Sequence, residues 1–328
     1  MNMKSKTLPL FILSVCLFAC TNDIRNTAVD LSEGFCPEVA VSAFLNPDSL
    51  ISISCTSTQV AFSKEPISAP TIEKAVFEDL SNGLSYPLIK MNTDHVVTLN
   101  IPDIKPLKSN IYQLKIKTTD PVRIISVIDT MPAHEVNITD ISISPIRKTT
   151  SYLGSVSFIP NAENLTNYYE LIAWQQNTDG GSLASNNPFN QLSLKTNDKL
   201  ITREGYYPNI FLLEAAYPQS LLFKLDKQQH QNISINFEYN AGEEYHAGST
   251  STWDHNIKVQ LRTVSHAYFQ YKTSLYKQKY AAEGDLLYGM ASPVRVYSNV
   301  KGGYGILGTY CKTDTTIHVE GRTNIEKE

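Results

Sequence analysis

The chain has 328 residues, enough for two domains at about 100–200 residues each, and a formal net charge of −4. That mild acidity counts against a nucleic-acid partner, which requires a cationic face. Eighteen tyrosines beside only 15 glycines and 16 prolines suit a large core of β-forming residues, not a low-complexity chain.

The opening MNMKSKTLPLFILSVCLFAC sets Lys4 and Lys6 ahead of an apolar run from Leu8 to Phe18. A spanning helix needs about 20 apolar residues, so the run reads as the centre of a secretory signal. Its ending, Leu17-Phe18-Ala19-Cys20, resembles a bacterial lipobox, although Phe18 is bulkier than the residue usual there. Residues 1–19 are therefore expected to be a lipoprotein signal peptide and Cys20 the lipid attachment site. The alternative is an ordinary signal peptide with an unrelated cysteine. Removing the leader takes two lysines and no acid, which moves the net charge from −4 to −6. Acyl burial contributes about 0.8 kcal/mol per methylene, so two or more chains on Cys20 hold a body stably at a membrane. Residues 20–35 are polar and without periodicity, as a tether should be.

From Glu38 the pattern is that of strands: EVAVSAFL, LISISCTS, IEKAVFEDL, LSYPLI, HVVTLNI, NIYQLKIKTT and IISVIDT, with turn residues between. Alternation of period two places one face of each on a core. Asn82-Gly83 predicts a two-residue type I′ hairpin turn, in which both central residues take positive φ. Seven short strands in roughly a hundred residues predict an immunoglobulin-like β-sandwich over 36–131. Once Cys16 is cleaved and Cys20 acylated, Cys36, Cys55 and Cys311 remain. Pairing Leu45 with Leu50 would set Cys36 opposite residue 59, so a Cys36–Cys55 disulfide requires a register shift; the pairing stays open.

Residues 132–328 are expected to form a larger β domain with one helix. Strands are predicted at EVNITDISISP, YLGSVSFIP, ELIAWQQ, FLLEA, SLLFKL, QNISINFEY and HNIKVQLRTVS, with a surface loop at NTDGGSLASNNPFNQ. SHAYFQYKTSLYKQKYAAEGD breaks the pattern: Ser265 is a good N-cap and Tyr268, Tyr271 and Leu275 recur at helical spacing, predicting a helix near 266–282. SPVRVYSNV, YGILGTY and TTIHVEG return to strand, and RTNIEKE reads as a frayed end. The predicted fold class is thus mainly β, with two β-sandwich-like domains.

Gly303, Gly305 and Gly308 spell G-x-G-x-x-G, the pattern of a dinucleotide loop. That loop works by opening a helix whose N-terminus holds the pyrophosphate, and only strand-forming residues such as Thr315, Thr316, Ile317 and Val319 follow. A tight turn at Lys301-Gly302-Gly303, with Gly305 and Gly308 permitting close packing, is the better reading. Glu243, Glu244, His246, Asp254 and His255 lie close in sequence and raise a metal-dependent hydrolase as an alternative; a solvated loop is the plainer account. No G-x-S-x-G, H-E-x-x-H or Cys-His signature accompanies them, so no catalytic residue, metal or cofactor is assigned and the chain is not read as an enzyme. Tyr168, Tyr169, Trp174 and Trp253 are the candidate ligand-binding residues, because aromatic faces stack on sugars or peptides while their polar tips bond. At strand spacing the same residues also suit a core.

FIPNAENLTNYYELIAW, SHAYFQYKTSLYKQ and ASPVRVYSNVKGGYGILGTY resemble signature stretches of domain-of-unknown-function family 4249, lipoproteins of the Bacteroidota; Asn167-Tyr168-Tyr169 and the Ser298–Gly305 segment are the most specific pieces. The resemblance implies a lipid-anchored outer-membrane protein, periplasmic or surface-facing, and makes a TonB-dependent transporter a candidate partner. A structural or adhesive surface role is a further alternative. Asp48-Ser49-Leu50, Asp129-Thr130-Met131 and Asp314-Thr315-Thr316 also resemble short glycosylation triplets of those bacteria.

Overall fold

The computed structural model describes residues 36–59, 68–119, 121–160, 166–178, 188–201, 219–226, 231–242, 244–246, 249–284 and 294–325. Within them the chain is mainly β, with one helix, α1 (His266–Gly284). The strands from Glu38 onward belong to one compact unit, Glu38–Thr58 with Ile67–Glu328. The loop at NTDGGSLASNNPFNQ and the FLLEA strand fall largely or wholly outside the described residues, as do the leader, the tether and Cys20.

The first strands are β1 (Val39–Leu45), β2 (Ile51–Ser57), β3 (Ile72–Asp79), β4 (Leu84–Pro87), β5 (Ile89–Asn92), β6 (Val97–Ile101), β7 (Ile111–Thr118) and β8 (Ile124–Thr130). Burial in β1 alternates along VAVSAFL, as period-two patterning requires. LSYPLI is two strands and not one. Pro87 lacks a backbone donor and ends β4, which pairs with β3 in the sheet β4-β3-β7-β8, while β5 pairs with β6 in a different sheet. Leu88, between them, packs against the hydrophobic core.

The β3–β4 connection corrects the expected two-residue turn. Asp79 faces Leu84 in register, so four residues form the loop. The Asp79 carboxylate accepts from the backbone N–H of Ser81 at 3.1 Å and of Asn82 at 3.2 Å, and only Gly83 takes positive φ, at 66°. A buried carboxylate organising the loop from its first position outweighs the Asn-Gly preference. Cys36 and Cys55 are not bridged: β1 and β2 pair Val41 with Cys55, and Cys36, Cys55 and Cys311 all remain out of disulfides. Burial pushes the Cys55 thiol up to about 12 and the Cys311 thiol up to about 11. In a protein carrying both Cys16→Ala and Cys20→Ala, a thiol-specific reagent is therefore expected to modify only Cys36 under native conditions and all three remaining cysteines after denaturation. Rapid native labelling of Cys55 would contradict this packing.

The later strands are β9 (Ile138–Pro145), β10 (Ser151–Phe158), β11 (Thr166–Asn177), β12 (Asn190–Gln191), β13 (Leu221–Asp226), β14 (Ile233–Asn240), β15 (Glu244–His246), β16 (Ser249–Thr252), β17 (His255–Val264), β18 (Tyr304–Val319) and β19 (Arg322–Ile325). The largest sheet runs β12-β11-β17-β18-β1-β2-β6-β5, with β13 also on β11. Smaller sheets are β14-β10-β9 and β15-β16-β19. YGILGTY and TTIHVEG, expected as separate strands, are the two halves of the 16-residue β18. Its first half lies parallel to β1, from Ala40↔Tyr304 to Leu45↔Thr309; its second lies antiparallel to β17, from Val264↔Tyr310 to His255↔Val319.

Two large hydrophobic clusters follow. One gathers Val41, Ile53 and Leu99 from the largest sheet with Phe77, Leu114 and Val127 from the β4-β3-β7-β8 sheet. The other gathers Tyr169, Leu171, Val259 and Phe223 with Val156 and Phe237. β18 contributes Leu307 and Cys311 to the first and Val319 to the second.

RTNIEKE is not wholly frayed, since β19 pairs with β16. Arg322 anchors it: Nη1 donates to the Ile146 carbonyl at 3.1 Å, Nη2 to the Thr149 carbonyl, and the guanidinium lies over the Tyr152 ring. SPVRVYSNV also departs from expectation, because its described residues, 294–300, form no strand. There the side chain of Asn299 replaces a strand partner. Its Nδ2 donates to the Leu307 carbonyl at 2.9 Å and its Oδ1 accepts from Leu307 N–H at 3.1 Å. A single amide thus satisfies both backbone groups of one β18 residue.

Candidate functional site

On the strand β11, successive side chains face opposite ways. Tyr169 and Leu171 enter the core, while Tyr168 and Glu170 lie on the face that α1 crosses. Tyr168 packs on His266 and Phe269 of that helix, with ring centroids 5.1 and 5.0 Å apart. Ser265 caps the helix as its sequence position predicts: Tyr268 N–H donates to Ser265 Oγ at 3.1 Å. The packing face is shifted from the expected line. Tyr268 and Phe269 are buried with Leu222 and Val264, whereas Tyr271 and Leu275 are only half-buried.

Beneath α1 lies a polar cluster built around Glu170, which is fully buried. Arg262 Nη1 stands 3.1 Å from Glu170 Oε2 and Lys272 Nζ 3.8 Å from Oε1. Tyr268 OH donates to Oε2 at 2.5 Å and Ser220 Oγ to Oε1 at 2.7 Å, and Ser220 shares a further bond of 2.6 Å with Tyr276 OH. The cluster continues along the sheet. Arg262 Nε donates to Gln260 Oε1 and Gln260 Nε2 donates to Asp314 Oδ1, each at 2.5 Å, while the Arg262 guanidinium stacks on Tyr310 at 4.4 Å. One helix and three strands, β11, β17 and β18, therefore share a single charge system.

Its protonation states follow from its geometry. Burial alone would raise the Glu170 carboxyl, but the charges of Lys272 and Arg262 and the bonds from Tyr268 and Ser220 hold it below the ordinary carboxylate range. Burial, then the Glu170 charge, pushes Tyr268 well above the usual phenol range and Tyr276 up to about 12. Glu170, Tyr268 and Tyr276 consequently keep their charge states across neutral pH. The arrangement fixes charge and positions the helix.

Asp129 behaves differently. It lies in β8 and accepts a 2.6 Å hydrogen bond from Ser265 Oγ, so a carboxylate sits at the N-terminus of α1. Burial nevertheless pushes its carboxyl up to about 6, against the downward pull of Ser265, Thr130 and Thr309. The folded chain thus holds this proton at pH values where the unfolded chain, with its ordinary aspartate pKa of 3.8, has released it. Stability from this group is present below about pH 4 and lost as pH rises through about 6, a change on the order of 3 kcal/mol at 1.36 kcal/mol per unit. Wild-type stability measured against Asp129→Asn across pH 4–7 is expected to fall relative to the variant as pH rises. A flat difference would count against the raised carboxyl.

The other sequence-derived candidates lie apart from this cluster. Tyr169 is fully buried, stacked on Phe223 with centroids 5.2 Å apart. Trp174 shares the Tyr168 face, six residues or about 20 Å along the strand, with Lys258 Nζ 5.9 Å from its ring centre. Trp253, between β16 and β17, is half-buried. A cleft of about 310 Å³ is lined by Leu153, Lys195, Asp198, Asn236 and Glu238 among others, and by none of these four aromatics.

Of the residues behind the hydrolase alternative, Glu243 falls outside the described residues and only the backbone of Glu244 and His246 is described. Asp254 Oδ1 accepts the Gly321 N–H at 2.5 Å. His255 is fully buried, with Nδ1 2.7 Å from the Trp253 carbonyl and Nε2 2.9 Å from Tyr239 OH. A carbonyl only accepts, so Nδ1 carries the proton and, in the uncharged ring, Nε2 accepts from the tyrosine. Among the described residues no group of three His, Cys, Asp or Glu side chains is placed to hold a metal ion.

Sequence reasoning missed Glu170, Arg262, Lys272 and Asp129. A signal for Glu170 exists: it is the one charge within the apolar and aromatic run Tyr168–Trp174. An acid at the centre of such a strand must find a cation or lose its charge.

The fold and the cluster together define a mainly β protein whose helix is pinned to its largest sheet by buried charge. The chain belongs to the DUF4249 family: the family model, described as a domain of unknown function, matches residues 25–316. No curated protein matches the chain. Among the described residues, no helix is long and apolar enough to cross a membrane.

Proposed function

We propose that this protein is a lipid-anchored outer-membrane binding or accessory protein, acting beside a TonB-dependent transporter by binding and not by catalysis. The observation that carries this reading is the lipobox-like Leu17–Cys20 ahead of a β-rich body. The family match begins at residue 25, just past Cys20, which suits a leader that is not part of the mature domain. We read that body as two sandwich-like halves, an immunoglobulin-like one over 36–131 and a larger one over 132–328. Support comes from the two large hydrophobic clusters, each drawing on two sheets. For a ligand, the exposed parts of Tyr168 and Trp174 remain the preferred aromatic contacts, on one face of β11.

Two measurements test the proposal. In a detergent phase split, the wild-type product is expected in the detergent phase and Cys20→Ala in the aqueous phase. Native extraction followed by capture of the tagged protein is expected to recover a barrel transporter. Equal partitioning of the two forms rejects the anchor; repeated capture without a barrel rejects the accessory role.

A further inference from the structure

The most exposed large apolar side chains among the described residues are Ile124 at 75 % and Val122 at 71 %. Ile124 opens β8, an edge strand of its sheet, and Val122 lies two residues before it. Edge strands of soluble domains are usually guarded by charge, yet the outward positions of β8 are Ile124, Ser126, Ile128 and Thr130. Partial cover comes from Lys301, whose backbone exchanges bonds of 3.0 and 2.8 Å with Ser126. That leaves Val122, Ile124 and, at 48 % exposure, Ile128 presented to the surroundings.

This rim also lies beside Glu38, the first residue of the compact unit. Arg123, between the two exposed residues, donates from Nη1 to Glu38 Oε1 at 2.9 Å, and Glu38 immediately precedes β1. Tyr304, 45 % exposed, lies opposite Ala40 in the parallel β1–β18 pair, and Lys301 is exposed nearby in sequence. The sixteen residue steps from Cys20 to Cys36 span at most about 55 Å, so a lipidated Cys20 holds the start of β1 within that reach of the bilayer. Apolar residues with a tyrosine and a lysine at their margin suit the headgroup boundary, where an aromatic ring and an amine can sit at the polar level. Tethering also raises the local concentration of membrane, so a contact too weak to hold alone becomes populated.

We propose that the Val122–Ile124 rim rests in the lipid surface and sets the orientation of the anchored body, with Tyr304 and Lys301 at headgroup level. This rests on the lipid-anchor reading above.

The test uses full-length lipidated protein in phosphatidylethanolamine–phosphatidylglycerol vesicles, with or without lipids brominated along the acyl chains. Ile124→Trp and Val122→Trp each add a reporter at an exposed position; Leu153→Trp, 46 % exposed on β10, is the control. Emission is read as the difference from the parent protein, and flotation separately reports anchoring. Bromolipids are expected to quench the added emission by half or more at position 124 or 122 and to leave position 153 unchanged. Protein that floats but is quenched at neither site overturns the rim contact and leaves the anchor standing. Failure to float overturns both. If native membranes shield position 124 from aqueous iodide while bromolipids leave it bright, a protein partner covers the rim, and the lipid contact is rejected.

Discussion

Replacing Glu170 with alanine is expected to destabilise the fold by about 3–5 kcal/mol, because it removes one partner from a buried ionic cluster. Arg262 would then be left half enclosed beneath α1 without its counter-ion at 3.1 Å, and Tyr268 OH would lose the acceptor at 2.5 Å. Ser220 retains its bond to Tyr276, which moderates the loss on that side. The measurement is the urea midpoint at constant slope, compared with Glu170→Gln. Glutamine restores an acceptor for Tyr268 but not the charge, so it should fall between wild type and alanine. A Glu170→Ala variant within 1 kcal/mol of wild type would falsify the claim that this cluster holds the helix.

A double-mutant cycle separates the pair from its surroundings. Arg262→Ala removes the guanidinium from Glu170, Gln260 and Tyr310 together, so its single effect includes packing on Tyr310 at 4.4 Å. Its coupling with Glu170→Ala should nevertheless be large, since each substitution alone takes a direct 3.1 Å partner from the other buried charge and the two together remove both members of the pair. Lys272 provides the contrast: it stands 3.8 Å away and its side chain is 24 % exposed, so water takes over part of its role when Glu170 is gone.

What the sequence revealed was periodic, and what it concealed was non-local. The alternation in VAVSAFL and the Ser265 cap are properties of neighbouring residues, and both appear in the structure as read. The sequence reads as two strands, YGILGTY and TTIHVEG, on either side of the polar Lys312–Asp314, where the fold has the single 16-residue β18. In the fold those residues sit where β18 lies beside Arg262 and Gln260, so their polarity answers a neighbouring strand. Asn299 is similar: its role depends on Leu307, eight residues away, and not on any local strand propensity. Of the site, the aromatic positions Tyr168 and Trp174 were visible as residue types. The charges that organise the same face come from three strands and a helix, and no spacing rule links them.

The glycine stretch yields the other large effect. Gly305→Ala is expected to cost roughly 3 kcal/mol or more, from positive-φ strain and from overpacking, each on the order of 1–3 kcal/mol. Gly305 adopts φ 105° opposite Val41, and an added Cβ would lie 1.8 Å from the Val41 carbonyl oxygen and 2.8 Å from its carbon. Both atoms are backbone, so no side-chain rotation relieves the clash; β1 and β18 must separate. Those strands carry the parallel pairing from Ala40 to Leu45, the join between β18 and the strands that open the fold. Gly83→Ala serves as the control, because Gly83 has φ 66° but nothing within 4 Å of the added carbon. It should cost about 1–2 kcal/mol, the left-handed penalty alone. If the two alanine variants unfold at the same urea concentration, close backbone approach is not what position 305 requires, and the reading of Gly305 as a close-packing residue and not part of a phosphate loop loses its physical basis.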